Sequence, residues 1–110
     1  MSDTNLQIYS FYRFVKIVDK ERYKIILEHF LQAQGNIKGT ILIADEGING
    51  AISGKKDDLQ KIILFIKKIL KVKKLSLKIN NVDFLPFNRL KLRLKKEIVS
   101  LGIKNLNITK

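Results

Sequence analysis

The sequence predicts an α+β domain in which one antiparallel sheet carries two helices on the same face, with an additional strand near the C-terminal end. Three features carry this expectation. Two long apolar stripes at helical spacing are separated by a pair of short strand-like runs joined through a glycine-containing turn. Aromatic or alternating apolar runs stand before the first stripe and after the second. Finally, Arg89-Leu-Lys-Leu-Arg-Leu-Lys95 alternates at period two without interruption. A chain of 110 residues is long enough for one hydrophobic core and too short for a two-domain enzyme.

Residues 7–15, Gln-Ile-Tyr-Ser-Phe-Tyr-Arg-Phe-Val, hold the aromatic and β-branched types that pack well on a pleated surface, and they predict the first strand. Its aromatic cluster Phe11, Tyr12 and Phe14 alternates faces and reads mostly as core, although Tyr12 could stack a base if its face is open. Asp19 then offers an N-cap, and Tyr23, Ile26, Leu27, Phe30 and Leu31 recur at i, i+3, i+4, i+7 and i+8. This predicts a helix near 19–34, stopped by Gly35. Residues 37–44 and 48–53 predict a hairpin whose tight turn is Asp45-Glu46-Gly47. In the second helix, near 56–72, Leu59, Ile62, Ile63, Ile66, Ile69 and Leu70 form one stripe, with Lys61, Lys67, Lys68 and Lys71 opposite. Leu64 is unexpected among those lysines. Leu75, Leu77 and Ile79 alternate with Ser76 and Lys78 as a fourth strand, and 89–95 makes a fifth. The order βαββαβ is that of the split βαβ, ferredoxin-like arrangement, which leaves the second sheet face for solvent or a partner.

Composition narrows the chemistry. There is no Cys, so no disulfide framework, thiolate metal site or cysteine nucleophile exists within these residues. His29 is the only histidine and makes neither a triad nor a metal site by itself, so no cofactor, metal or catalytic residue is expected in this chain. No apolar run approaches the ~20 residues that cross a bilayer, and the first residues resemble no signal peptide, so a cytoplasmic location without membrane contact is expected. The net charge of +12 is distributed unevenly. Residues 1–54 are neutral, whereas residues 55–110 carry 16 cations against Asp57, Asp58, Asp83 and Glu97. That asymmetry points to a polyanion-facing side, although Lys, Ile and Asn together supply 43 of the 110 residues, as compositional bias towards A+T-rich codons also would.

Two longer segments are distinctive: Lys38-Gly-Thr-Ile-Leu-Ile-Ala-Asp-Glu-Gly-Ile-Asn-Gly50, and Pro86-Phe-Asn-Arg-Leu-Lys-Leu-Arg-Leu-Lys-Lys-Glu-Ile-Val-Ser-Leu-Gly102. From about Tyr9 to Gly102 the chain resembles the N-terminal domain of the rhodanese-related tRNA uridine hydroxylase family. The resemblance implies an acylphosphatase-like, ferredoxin-like fold, in agreement with the element order. It also implies a C-terminal rhodanese domain whose cysteine carries the 5-hydroxylation of the wobble uridine in tRNA. Since no Cys is present, the expectation is a ferredoxin-like domain over 1–103 and a linker stub over 104–110, cut or truncated from such an enzyme and inactive alone.

Two groups of residues are candidates for contact. Arg89, Lys91, Arg93 and Lys95 share one strand face and Lys96 extends them. They are either the solvated face of an edge strand or a binding surface, and the two arginines favour the latter in a chain with 18 Lys and only four Arg. As a binding surface the strand suits RNA phosphates or an interface with the rhodanese domain. In the hairpin, Glu46, Gly47, Asn49 and Gly50 are explained by turn geometry alone, or else Glu46 and Asn49 project towards a nucleotide or partner domain while the glycines permit close approach. The resulting expectation is an accessory, substrate-positioning domain with weak tRNA affinity of its own. The alternatives are a module contacting only its rhodanese domain, or a small acylphosphatase-type hydrolase. The last lacks a glycine-rich phosphate cradle followed by Arg after the first strand, since Arg13 lies inside that strand.

Overall fold

Five short apolar, aromatic or alternating runs and two stripes of 3.6-residue periodicity produce the observed elements. The computed structural model describes residues 6–83 and 86–95. They form β1 (Leu6–Phe14), α1 (Lys20–Gln32), β2 (Lys38–Ala44), β3 (Gly47–Lys55), α2 (Lys56–Leu70), β4 (Ser76–Val82) and β5 (Leu90–Lys95). The sheet order is β4-β1-β3-β2-β5. β3 lies antiparallel between β1 and β2, and β4 is antiparallel to the other side of β1, which is the expected split βαβ arrangement. The additional strand β5 pairs parallel to β2, with Ile41 beside Leu92. Its direction follows from where the chain crosses: β4 ends beside Leu6, at the end of the sheet where β2 begins, and β5 starts there too, beside Gly39.

Both helices cover one face of the sheet. Tyr9, Phe11, Ile41, Ile43, Ile48 and Ile52 point from the strands into a core closed by Leu27 and Leu31 of α1 and by Leu59, Ile62, Ile63, Ile66 and Leu70 of α2. The helices also touch each other. Phe30 and Phe65 stack with ring centroids 4.0 Å apart, and the Tyr23 hydroxyl donates to the Ile69 carbonyl at 3.2 Å. The lysines opposite the α2 stripe are at the surface, and Leu64 among them is exposed.

Several local expectations change. The hairpin turn is only Asp45-Glu46, since Gly47 already belongs to β3 with φ +152°. Gly50 keeps no positive φ; a side chain there would stand 2.8 Å from Phe11 Cζ and 2.9 Å from the Thr40 carbonyl oxygen, so close packing on the core side explains it. Asp19 caps α1 as expected, accepting from the Arg22 N–H at 3.2 Å. Gly35, however, is not the helix stop. α1 ends at Gln32 with Ala33 as its C-cap, and Gly35 instead makes room for the Asp58 side chain of α2. α2 ends at Leu70, and its C-cap Lys71, with φ of 58° and ψ of 43°, is left-handed. The N–H groups of Lys71 and Val72 return to the carbonyls of Lys68 and Lys67, so a lysine occupies the place glycine usually takes in this C-cap. Lys96, the later part of the second distinctive segment and the 104–110 linker stub lie outside the described residues.

Candidate nucleic-acid interface

The alternation of β5 separates apolar from cationic side chains. Leu92 is buried, with Leu90 and Leu94 partly buried against the core, while Lys91, Arg93 and Lys95 are exposed on the other side. Arg89 is exposed just before the strand and its carbonyl accepts from the Gly39 N–H at 2.9 Å, which anchors the entry to β5. At the other end, Lys20 Nζ donates to the Lys95 carbonyl at 3.0 Å and lies 3.6 Å from Asp45 Oδ1. The cationic strand is thus tied at both ends to fixed elements, and it forms one outer edge of the sheet. Among the described residues neither ion pair involves its four cations.

Register places these cations in rows with residues on the side of the sheet opposite α1 and α2. Arg93, Leu42, Asn49, Tyr12 and Ser76 are successive neighbours, as are Lys91, Thr40, Ala51, Ser10 and Lys78. The middle of this face is closed: Leu42, Ala44, Asn49 and Ser53 are buried. Exposure is concentrated at its two edges, with Lys91, Arg93 and Lys95 on β5 and Ser76 and Lys78 on β4. Phe14, at 59% exposed, and half-buried Tyr12 lie next to the β4 edge with their rings edge to face at 6.0 Å. Of the aromatic cluster in β1 only Phe11 is core; Tyr12 and Phe14 fall on the side opposite α1 and α2 because they are its even-numbered positions.

The hairpin candidates separate. Glu46 is exposed in the turn and its carbonyl accepts from the Val15 N–H at 3.0 Å, while Asn49 is 3% exposed within the sheet. Gly47 and Gly50 serve backbone geometry and core packing, so these four residues do not converge on one exposed site. His29 is exposed in the last turn of α1. No group of three metal-ligating side chains occurs among the described residues, and no described helix is long and apolar enough to cross a membrane.

One feature escapes sequence patterning. A shallow depression is lined by Tyr12, Arg13, Phe14, Lys74, Leu75 and Ser76, and the Nε of Arg13 is buried without a hydrogen-bond partner. Arg13 is an odd position of β1 and takes the helix-side place next to Ile48, where alternation calls for an apolar residue. That break in the pattern was the available signal.

Comparison with known proteins agrees with the fold. The chain superposes on acylphosphatase from Bacillus subtilis with a TM-score of 0.55 and 15% identity, covering 79% of this chain and 97% of that one. It also matches the BLUF protein BlrB in its dark state, with a TM-score of 0.66, 10% identity and 84% and 74% coverage. Such identities establish shared architecture only. Among curated relatives, the tRNA uridine(34) hydroxylase of Pelagibacter ubique (strain HTCC1062) is 44% identical over 97 residues, 87% of this chain and 32% of the relative. The tRNA uridine(34) hydroxylase of Prochlorococcus marinus (strain NATL2A) is 40% identical over 106 residues, 94% of this chain and 33% of the relative. The chain therefore spans about a third of the length of these relatives. A family model described as the UPF0176 acylphosphatase like domain matches residues 6–98, and on that match, together with the relatives and the shared architecture, the chain belongs to this family of domains.

Proposed function

We propose that this domain positions tRNA for a uridine-hydroxylating enzyme and performs no chemistry itself. The observation that carries the reading is the exposed edge formed by Arg89, Lys91, Arg93 and Lys95, held rigid at both ends and without a paired carboxylate among the described residues. Clustered cations on a fixed strand suit a phosphate backbone, because each neutralised phosphate releases condensed counterions whatever the base sequence. The relatives named tRNA uridine(34) hydroxylase support tRNA as that polyanion. In this reading the reaction belongs to the rest of a longer protein, where the family resemblance implies a rhodanese domain with the cysteine. With tRNA as partner, the place of action is the cytoplasm. An acylphosphatase-type activity has only the architecture in its favour, and architecture does not transfer a reaction.

A titration with tRNA at two salt concentrations tests this. Log K should fall with log salt at a slope of roughly 0.7–0.9 per phosphate neutralised. Arg89→Ala and Arg93→Ala should each lower affinity and slope, and Lys24→Ala should do little, since Lys24 already bonds Glu28 at 2.9 Å on α1. Unchanged tRNA affinity in both arginine variants, with weakened association to a separately expressed rhodanese domain, would replace RNA by the partner domain as the ligand of this strand.

A further inference from the structure

Between Asp58 and Asp83 the chain has no acidic residue, and its lysines crowd the end of α2. Lys68 stands in the last turn of α2, Lys71 is its C-cap, and Lys73 and Lys74 lie in the short link to β4. Chain geometry alone keeps the Cα atoms of Lys71, Lys73 and Lys74 within about 11 Å of one another. All four lysines are exposed, and among the described residues neither ion pair involves them. This corner is separate from β5, which forms the opposite edge of the sheet.

Two ordinary causes explain only part of the cluster. Cations in a last helical turn offset the helix dipole, but that effect fades beyond the turn and leaves Lys73 and Lys74 without a reason. A bias towards A+T-rich codons supplies lysine, yet it supplies asparagine equally well. At Lys71 the backbone distinguishes the two. Lys71 is the one described non-glycine residue with positive φ, in a place that favours glycine first and asparagine next. Lysine is the costly choice there, and a residue kept against its local backbone preference marks a functional constraint. The residue type also narrows the ligand. Lysine is a point charge on a flexible stem, suited to phosphates met without base reading, whereas a fixed carboxylate partner is better matched by the arginine fork.

We propose that Lys68, Lys71, Lys73 and Lys74 form a second phosphate-backbone contact for RNA, gripping the molecule that the β5 edge also holds. This rests on the tRNA-positioning reading and adds a separate surface to it. The corner leads into Ser76, which shares a register row with Arg93. The two cationic edges therefore flank the same end of the sheet, about 19 Å apart across four strand spacings. In the acidic turn between them, Asp45 is offset by Lys20 at 3.6 Å.

The test is a tRNA titration at two salt concentrations with the double variant Lys73→Gln/Lys74→Gln, with Lys71→Gly, and with each combined with Arg93→Ala. The double variant should lower affinity at least about 3-fold and reduce the salt slope by about 1. Lys71→Gly should raise the unfolding midpoint while lowering affinity about 2-fold, opposite directions that a structural role does not produce. Combined with Arg93→Ala, the losses should multiply, as expected for separate contacts to one RNA. Lys55→Gln/Lys56→Gln, exposed at the other end of α2, removes the same charge and should have a clearly smaller effect. Wild-type affinity and slope in both the Lys73/Lys74 double variant and Lys71→Gly, or an equal loss in the Lys55/Lys56 control, overturns the proposal. If Arg93→Ala still weakens binding in that case, the β5 reading stands without this corner. Weakened binding to a separately expressed partner domain with tRNA affinity retained also overturns it, by assigning the lysines to a protein surface.

Discussion

At the level of single residues, buried polar groups show where the fold constrains chemistry. Tyr9 is 2% exposed at the sheet-helix interface, and burial raises its hydroxyl pKa above the ordinary 10.0, opposed in part by its hydrogen bond with Gln60. The folded state therefore keeps its proton where the unfolded chain releases it. The unfolded chain then binds fewer protons, and stability is lost as pH rises past about 10. Urea unfolding at about pH 9 and about pH 11 should show a larger drop for the wild type than for Tyr9→Phe; equal drops would mean that Tyr9 ionises as easily folded as unfolded. Gly50 and Arg13 teach a different lesson. Turn chemistry explains a glycine after Asn49 well enough from sequence, yet its cause is the Phe11 ring above it. Arg13 was legible only as an interruption in an apolar pattern, because strand register decides which face of the sheet it takes.

Among the elements, the helices were the most legible parts of the chain. Their stripes are long enough for periodicity to distinguish them from strands, and Asp19 caps α1 as its side-chain chemistry predicts. Helix ends were less legible, since they are decided by neighbours. Lys71 holds a left-handed conformation that costs a side chain more than it costs glycine, so Lys71→Gly should stabilise the chain by about 0.5–1 kcal/mol. Chemical denaturation reads this directly, and a destabilised variant would show that the Lys71 side chain makes a compensating contact. Strand ends shifted similarly: β3 and β4 each run beyond the expected residues because pairing with β1 continues through Lys55 and Val82, where the local pattern is weak.

For the molecule as a whole, the central question is whether loss of binding can be separated from loss of folding. β5 offers the separation within adjacent residues. Leu92 is 9% exposed and joins the core from an edge strand, so Leu92→Ala should cost about 2–5 kcal/mol. Arg93 points the other way and is exposed, so Arg93→Ala should change stability by no more than about 0.5 kcal/mol. Unfolding midpoints for the two variants check this. A large destabilisation by Arg93→Ala would mean that its effect on tRNA binding reports unfolding instead of contact.

Spacing along the chain was sufficient to determine the number and type of elements, the shared face of the two helices and the segregation of cations on β5, because periodicity and side-chain burial are properties of neighbouring residues. Packing decided the rest. The parallel direction of β5 follows from which end of the sheet β4 leaves, and the depression at the end of β1 from two strands of unequal reach. These depend on contacts between residues distant in sequence, and no local pattern records where one strand ends relative to another.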